Sequence, residues 1–394
     1  MQRVDRSSFL GIPDSISINH CGISPTTREA VQASHEVLLS QACFGNAGLA
    51  PGSRGRELFR GASATLLQTS PENISFVTNS ALGLNIIAHG FPFAPGDEIL
   101  SYRYEYPSNH YPWKLQEARG AKLVLMDGEL FQGSPLRWDL RELESLITPR
   151  TRMVAISHVQ FVSGFAADLA ALGALCRSRG IALVVDGAQS IGCMPVYPEK
   201  LGIDALVTSG WKWLMGPIGS GCLYTSPSFR AQLKDVLVGP DMMAQGSNYL
   251  DHSFNPVTSG ARFEFSTIPY AVVAGLGAAI QAGAGSYGIE QIWDRIRHLQ
   301  RLALNHIDSD LFRLIPLAEN ERSGILSFSV AGDPRQVVAR LEKQGIRCSA
   351  RGPEKGTLFF RVAPHFYLSE DEVIRVAHAM NQAASDKPDL VAST

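Results

Sequence analysis

Two short segments of the sequence carry residues that could do chemistry together. The first, IALVVDGAQ at 181–189, is an apolar strand pattern that ends in Asp186 and continues with two small residues and an amide, Gln189. Ligands of open parallel sheets bind at the carboxyl ends of strands, which is where this pattern places Asp186. The alternative is that Asp186 only caps a loop or pairs with a nearby arginine.

The second segment, ALVTSGWKWLMGPIGSGCLYT at 205–225, encloses Lys212 between two tryptophans, after a strand pattern and before a glycine-rich turn. Apolar surroundings disfavour the charged form of a lysine, whose ordinary pKa is about 10.4, and the neutral amine is a nucleophile. The alternative is that the Lys212 stem packs on aromatic rings while its head reaches water.

Together the two segments indicate a cofactor. Pyridoxal 5′-phosphate (PLP) needs a lysine that binds its aldehyde as a Schiff base, and a carboxylate that keeps its pyridine nitrogen protonated, so that the ring accepts electrons. Lys212 and Asp186 supply these groups, and Gln189 is placed to hydrogen-bond the phenolic oxygen. The sequence therefore predicts an enzyme that carries PLP on Lys212 and acts on an amino group.

The elements that would position these residues lie between about 74 and 225, where β-branched runs alternate with helical patterns. Such alternation builds a parallel sheet, and burial on both faces accounts for continuous apolar runs such as ALVVD. The predicted strands are Ile74–Val77, Glu98–Ser101, Lys122–Met126, Met153–His158, Ile181–Asp186, Ala205–Ser209 and Gly221–Thr225. The predicted helices are Ala81–His89, Asp139–Ile147 and Asp168–Arg179.

The remainder of the chain predicts a smaller α+β domain. Two helices, Tyr270–Ala284 and Ile289–Ile307, flank a boundary near 285–288. They are followed by strand Gly324–Val330, helix Pro334–Gln344, strands Ile346–Ala350 and Thr357–Ala363, and helix Ser369–Ala384. We divide the chain into an N-terminal arm (1–25), a large PLP-binding domain (26–285), a small C-terminal domain that includes the arm (286–385) and a flexible tail (386–394).

Composition argues against several classes of function. Lys and Arg number 35 against 37 Asp and Glu, so the chain offers no basic footprint for nucleic acid and no polybasic membrane anchor. The six cysteines show no metal-ligand spacing, which predicts reduced thiols and no metal site. The first 20 residues lack the apolar core of a signal peptide, and no run reaches the roughly 18 apolar residues of a membrane span. We expect a cytoplasmic protein with a small-molecule partner.

Motifs along nearly the whole chain resemble those of fold type I PLP enzymes of the class V aminotransferase group, which includes cysteine desulfurases and isopenicillin N epimerases. The matching segments, in family order, are FVTNSALGLN at 76–85, EYPSNHYPW at 105–113, ISHV at 156–159, VDGAQ at 185–189, SGWKWLMGPIGSGCLY at 209–224, RFEFSTIPY at 262–270 and RVAPHFY at 361–367. The resemblance implies a three-layer α/β fold with a mainly parallel central sheet and a smaller α+β C-terminal domain.

The resemblance also implies which residues bind the cofactor phosphate. Ser80 and Ala81, at the start of a helix, would hold it as helix N-termini do, although Ser80 could equally be a helix cap. Ser209 and Trp211 would contact it too, with Trp211 in a position where relatives commonly have histidine. Thr267 matches a threonine that reaches the phosphate of the neighbouring subunit, which implies a homodimer with shared sites.

Further residues are expected near the cofactor ring and the substrate. Tyr106 takes the place of the side chain that stacks on the pyridine ring, unless it fills a core. His158 either contacts the ring region or is a satisfied core histidine. Arg361, inside the apolar strand LFFRVAP, needs an anionic partner, which the resemblance identifies as the carboxylate of an amino-acid substrate. An ion pair with a nearby glutamate is the alternative. Arg351 and the segment from Asn19 to Cys21 are weaker candidates for the same pocket.

The sequence departs from the desulfurase pattern at two places. Desulfurases carry a nucleophilic cysteine on a loop shortly before the substrate arginine, and no such loop exists here. Cys348, in IRCSA, lies near but fits a small buried core thiol. Phe161 stands where desulfurases usually have asparagine. The persulfide chemistry of that branch is therefore not our first expectation.

The expected function is a class V aminotransferase in which Lys212 is the general base. A PLP-dependent lyase that cleaves C–S or other β-substituents, or an amino-acid epimerase, would use the same lysine, aspartate and ring. A non-catalytic sensor or scaffold that keeps the fold is the alternative from another class.

Overall fold

The computed structural model describes residues 6–8, 15–354 and 356–385. Its strands are β1 (Ile16–Ser17), β2 (Ile74–Val77), β3 (Glu98–Tyr102), β4 (Lys122–Met126), β5 (Glu129–Phe131), β6 (Ser134–Arg137), β7 (Thr151–Ser157), β8 (Ala182–Asp186), β9 (Ala205–Ser209), β10 (Gly221–Thr225), β11 (Phe312–Leu314), β12 (Leu326–Val330), β13 (Ile346–Arg347), β14 (Ser349–Arg351) and β15 (Phe359–Val362).

The α-helices are α1 (Arg28–Phe44), α2 (Ala50–Leu67), α3 (Ser80–Gly90), α4 (Tyr111–Leu115), α5 (Leu140–Leu146), α6 (Leu169–Arg179), α7 (Pro198–Leu201), α8 (Pro227–Arg230), α9 (Tyr270–Ile280), α10 (Ile289–His306), α11 (Pro334–Lys343) and α12 (Glu370–Ser385). Short side chains cap several of them. Asp139 and Asp168, for example, accept hydrogen bonds from the first-turn amides of α5 and α6.

A seven-stranded sheet in the order β2-β10-β9-β8-β7-β3-β4 forms the centre of the molecule. Strands β9, β8, β7, β3 and β4 pair in parallel, and β10 runs antiparallel to both of its neighbours. All seven strands predicted from the sequence are present, four with the predicted ends and three with ends shifted by one or two residues. The expected α/β fold with a mainly parallel sheet is confirmed.

Apolar clusters cover both faces of this sheet, which makes the fold three-layered. Val154, Ile156 and Val185 belong to one cluster, whereas Ala155 and Val184 belong to the other. Because successive residues of a strand point to opposite faces, a strand between two helix layers must be apolar at every position. This is why the central strands read as continuous rather than alternating apolar runs.

A second, four-stranded antiparallel sheet, β11-β12-β15-β14, follows in the C-terminal part of the chain, where α10, α11 and α12 pack together. The segment around β1 joins it: β1 pairs in parallel with β13, and the Ala363 amide donates to Ile18 O at 2.7 Å. The domain boundaries remain a prediction. The expected flexible tail at 386–394 lies outside the described residues.

Two predicted elements were wrong in detail. The single strand Ile346–Ala350 is two short strands, because Ile346 and Arg347 pair with β1 while the next residues turn to pair with β15. The helix predicted to reach Ala284 leaves α-helical geometry after Ile280 and continues as a π-helical turn, Gln281–Gly285. A residue with positive φ, Gly288 at 76°, then redirects the chain into α10.

The six cysteines are free thiols, and five of them are buried. Among the described residues, no group of three or more His, Cys, Asp and Glu side chains could hold a metal ion. In the same part of the chain no single helix is long and apolar enough to cross a membrane, and only the pair Tyr270–Gly285 and Ile289–His306, bent by 72°, meets that test by length and composition together.

Candidate active site

A cavity of about 390 Å³ opens at the carboxyl edge of the central sheet. Ser157, Asp186 and Ser209, the last residues of β7, β8 and β9, all line it. The other lining residues are Cys21, Gly22, Ile23, Asn79, Ser80, Ala81, Tyr106, Ser108, Val159, Phe161, Ala188, Gln189, Trp211, Lys212, Arg351 and Arg361. This edge is where open α/β sheets bind ligands.

A second cavity, of about 500 Å³, is larger but has no comparable chemistry. Its Arg137 side chain forms ion pairs with Glu129 at 2.8 Å and with Glu321 at 3.0 Å, so the charges satisfy one another at the surface. We therefore assign the functional site to the cavity that contains Lys212.

Lys212 and Asp186 face this cavity with opposite responses to burial. Burial lowers the pKa of Lys212, and the nearby Asp186 carboxylate acts in the other direction. Burial raises the pKa of Asp186, whereas the hydrogen bond from the Ala188 amide, 2.9 Å long, and the Lys212 charge lower it. Desolvation thus favours a neutral, nucleophilic amine on Lys212, as the sequence predicted.

Gln189 is held by residues from two other parts of the chain. Its Nε2 donates to the Cys21 carbonyl oxygen at 2.9 Å, and its Oε1 accepts from Trp213 Nε1 at 3.2 Å. These bonds fix the amide next to Asp186 and leave a second Nε2 hydrogen. The expected contact with the cofactor's phenolic oxygen remains a prediction, to be made through that hydrogen.

The start of α3 provides a place for an anion. Asn79 caps the helix by accepting from the Leu82 amide at 2.9 Å, and the next two residues, Ser80 and Ala81, line the cavity. Amides of a first helical turn have no intrahelical acceptor, so they can bind phosphate. Ser209 Oγ is buried without a hydrogen-bond partner among the described residues, and Trp211 lines the same cavity. An unsatisfied buried hydroxyl beside a helix N-terminus fits the phosphate of PLP.

Aromatic side chains form the outer wall. Lys212 Nζ lies 5.7 Å from the centroid of the Tyr106 ring, and that ring meets Phe161 edge to face at 5.3 Å. Tyr106 is 48% exposed, so it does not fill a core. A flat, half-exposed ring this close to the lysine amine is available to stack on a planar ligand.

Arg361 is buried on β15, with 2% of its surface exposed. Its guanidinium donates to the Phe161 carbonyl oxygen and, at 3.0 Å, to Ser349 Oγ, while Nε has no partner. None of the ion pairs between described residues includes Arg361, so the alternative of a structural pair with glutamate is wrong. Arg351 lines the cavity as well. A buried guanidinium without a carboxylate calls for an anionic ligand.

Three of the predicted site residues do not line the cavity. Asn19 Oδ1 accepts a hydrogen bond from Ser349 Oγ at 2.9 Å, and its side chain does not line the cavity. His158 is buried on the strand face opposite to Ser157 and Val159, although its unpartnered Nδ1 shows that it is not a satisfied core histidine. Thr267 is exposed and outside this cavity.

Sequence reasoning missed several lining residues: Gly22, Ile23, Ser108, Ser157, Val159 and Ala188. Val159 could have been found, because side chains alternate along an extended segment and Phe161 lies two residues further on the same face. Ser108 lies in a short 3-10 helix, Pro107–Asn109, and Ile23 follows a turn. The sequence pattern predicts the conformation of neither segment.

The cysteine prediction for the C-terminal part was correct. Cys348 is buried, and burial raises its pKa to about 12, which favours the protonated thiol over the nucleophilic thiolate. The thiol that lines the cavity is instead Cys21, from the segment that follows β1, and its Sγ donates to Asn19 Oδ1 at 3.6 Å.

Comparison with known proteins gives one consistent family. Residues 54–386 match the family model described as Aminotransferase class-V. A probable cysteine desulfurase of Pyrococcus abyssi is 30% identical over 330 residues, covering 79% of this chain and 78% of the relative. A probable cysteine desulfurase of Methanothermobacter thermautotrophicus is 26% identical over 339 residues, covering 82% of each chain.

Solved structures of similar proteins match the fold of this chain over almost its whole length. The apo structure of a cysteine desulfurase from Thermococcus onnurineus matches with a TM-score of 0.85 at 26% identity, over 98% of this chain and 99% of that one. A structure of C-DES with glycine covalently linked to its PLP cofactor matches with a TM-score of 0.87 at 24% identity, over 97% of this chain and 100% of that one, and shows a shared fold.

Proposed function

Because the chain belongs to the class-V aminotransferase family, whose members are PLP-dependent enzymes, we propose that it acts on an α-amino acid and that Lys212 removes the α-proton. The observation that carries this proposal is the cavity itself. A desolvated lysine amine, a buried carboxylate and a buried guanidinium without a counter-ion line one space at the carboxyl edge of the sheet.

The lining residues fit PLP at each of its ends. Lys212 would bind it covalently, Asp186 would face its pyridine nitrogen, and the start of α3 with Ser209 would hold its phosphate. When bound, PLP supplies an aldehyde that condenses with amines and a ring that accepts the electron pair of the Cα–H bond. An ionised Asp186 would keep the pyridine nitrogen protonated, which is the state in which the ring accepts electrons best.

The lining residues would have separate roles in the reaction. Arg361 binds the substrate carboxylate and fixes the orientation of the α-carbon. The Lys212 amine, whose pKa is lowered by burial, takes the α-proton as a general base. Tyr106 and Phe161 cover the mouth and exclude water from the base. The fate of the proton held on Lys212 decides the reaction.

Transamination is the reaction that needs no further group. A single base on Lys212 Nζ would serve both the removal and the redelivery of the proton that a transamination half-reaction requires. Epimerisation needs a proton donor on the face opposite Lys212. Elimination needs a substrate with a leaving group on its β-carbon.

A second candidate function, carbon–sulfur cleavage of cysteine, is favoured by Cys21. Cys21 lines the same cavity as Lys212 and Arg361. Burial lowers the pKa of both cations, and the nearby Cys21 opposes this shift for both. A Cys21 thiolate could attack the substrate sulfur. The C–S bond would break, its electron pair would pass to the β-carbon, and that carbon would take up a proton to give alanine while Cys21 became a persulfide. Relatives named cysteine desulfurase make this reaction worth testing.

Product analysis separates these outcomes. The purified protein loaded with PLP is mixed with a panel of amino acids, and the absorbance of the lysine-bound cofactor is followed together with the products. Pyridoxamine phosphate and an oxo acid support transamination. Alanine with a persulfide that is lost in Cys21→Ser supports desulfuration, and pyruvate with ammonia supports elimination. Bound cofactor without turnover of any amine would favour the sensor or scaffold.

We also propose a homodimer in which Thr267 contributes to the partner's site. Four apolar side chains of α1 are well exposed: Val31, Leu38, Leu39 and Phe44. Val31, Leu38 and Leu39 follow the i, i+7, i+8 spacing of one helix face. Monomers rarely expose a contiguous apolar face, and a second copy would cover it. Analytical ultracentrifugation should give a dimer that Leu38→Asp disrupts. Thr267→Ala should leave the dimer intact and weaken PLP binding, whereas a monomeric wild-type protein with unchanged PLP affinity in Thr267→Ala would contradict the proposal.

A further inference from the structure

The two arginines of the cavity lie on the same face of one sheet. Strands β14 and β15 are antiparallel, with Ser349 opposite Arg361 and Arg351 opposite Phe359. Side chains two residues apart on a strand point the same way, so Ser349, Arg351 and Arg361 share a face. Diagonal neighbours of this kind have Cβ atoms roughly 7 Å apart, within reach of one small ligand.

Neither guanidinium has a carboxylate partner. The ion pairs formed within the described ranges include neither arginine. Arg351 donates to the Ala350 carbonyl oxygen at 3.0 Å, and the buried Nε of Arg361 donates to nothing. The carboxylate that lines the cavity, Asp186, lies on the central sheet and is taken up by the pyridine nitrogen in the proposed function.

The pair therefore carries uncompensated positive charge toward the ligand. Burial lowers the pKa of Arg361, and the like charge of Arg351 lowers it further. An anion between the two groups would relieve both effects. Arg361, which is buried, can take only what enters the cavity, whereas Arg351 is exposed at its mouth.

We propose that the cavity selects an α-amino acid whose side chain ends in a second acidic group, a carboxylate or a sulfinate. Arg361 binds the α-carboxylate and Arg351 binds the side-chain acid. This inference rests on the proposed function and names its substrate class. Charge-assisted bonds to a guanidinium at the cavity mouth give roughly a tenfold preference over a neutral side chain, since each tenfold corresponds to about 1.4 kcal/mol.

The test uses unreactive acids, so that binding is read without turnover. Calorimetric titration of the PLP-loaded protein compares succinate, which has two carboxylates, with butyrate, which has one. We expect succinate to bind roughly tenfold more tightly. Arg351→Gln should abolish this preference by weakening succinate binding far more than butyrate binding, while Arg351→Lys should retain part of it. Arg347→Gln is the matched control, because that exposed arginine, four residues earlier, does not line the cavity.

The same preference should appear with amino acids. L-Aspartate, L-glutamate and L-cysteine sulfinate should perturb the absorbance of the lysine-bound cofactor at lower concentrations than L-alanine and L-asparagine, and the first three distinguish carboxylate from sulfinate. Equal affinity for succinate and butyrate, or a preference that survives in Arg351→Gln, would overturn the inference. Failure of the proposed function is a separate result, because it would show as an absent lysine-bound cofactor whatever the acids do.

Discussion

Replacing Arg361 by glutamine tests how the site holds its substrate. The guanidinium is 2% exposed and has no carboxylate partner among the described residues, so its bonds to a substrate carboxylate would form away from water. Each hydrogen bond to a charged group contributes about 1.5–3 kcal/mol, and a bidentate pair makes two of them. The loss of transition-state stabilisation is then about 3–5 kcal/mol, which lowers kcat/KM by a factor of roughly 10² to 10³ or more.

The assay compares two substrates in wild type and Arg361→Gln. One is the best amino acid found in the product screen, and the other is the corresponding amine without the α-carboxylate. Only the amino acid should lose activity, while the absorbance of the lysine-bound cofactor without substrate stays unchanged. Equal losses for the amino acid and the amine would refute the assignment, because they would mean that Arg361 acts through the structure around Phe161 and Ser349 instead.

Three further predictions concern charge and packing. Asp186→Asn should retain PLP but lower kcat by roughly 10²-fold or more, since the pyridine ring loses the carboxylate that keeps its nitrogen protonated. Because Asp186 raises the pKa of Lys212, the acidic limb of the pH–rate profile should also move to lower pH in this variant. Burial lowers the pKa of His20 to about 4, so the unfolded chain binds a proton that the folded one rejects. Unfolding free energy should therefore fall by about 3 kcal/mol as the pH drops from 6.5 to 4, and a measured denaturation series should show less of this loss in His20→Gln. Gly61→Ala should stabilise the protein by about 0.5–1 kcal/mol, because nothing lies within 4 Å of the added Cβ. Gly173→Ala should destabilise it by about 2 kcal/mol or more, because the added Cβ would lie 1.7 Å from Leu201 O. Urea unfolding of both variants measures the two changes in free energy.

The centre of the site could be predicted from sequence for a physical reason. Asp186 and Ser209 end neighbouring strands, and Lys212 follows shortly after the second of them. The carboxyl ends of parallel strands meet at one edge of a sheet, so residues at these positions come together once the strands are recognised. Continuous apolar runs made the strands recognisable, because both faces of the sheet are covered.

The periphery of the site depends on tertiary contacts that have no local signal. The segment from Asn19 to Cys21 was expected in the pocket, but only pairing of β1 with β13 determines that Cys21 lines the cavity and Asn19 does not. The division of 346–350 into two strands follows from the same pairing. The segment ISHV reaches the cavity as expected, but Val159 lines it and His158 does not. A shift of one position along an extended segment turns the side chain to the opposite face.

The proposed function depends on the bond between Lys212 and the cofactor. Borohydride reduction of the PLP-loaded protein, followed by peptide mass spectrometry, locates that bond directly. We predict a phosphopyridoxyl group on the peptide that contains Lys212, and its loss in Lys212→Ala together with the absorbance of the lysine-bound cofactor. A modified lysine elsewhere, or an unchanged absorbance in Lys212→Ala, would contradict the assignment.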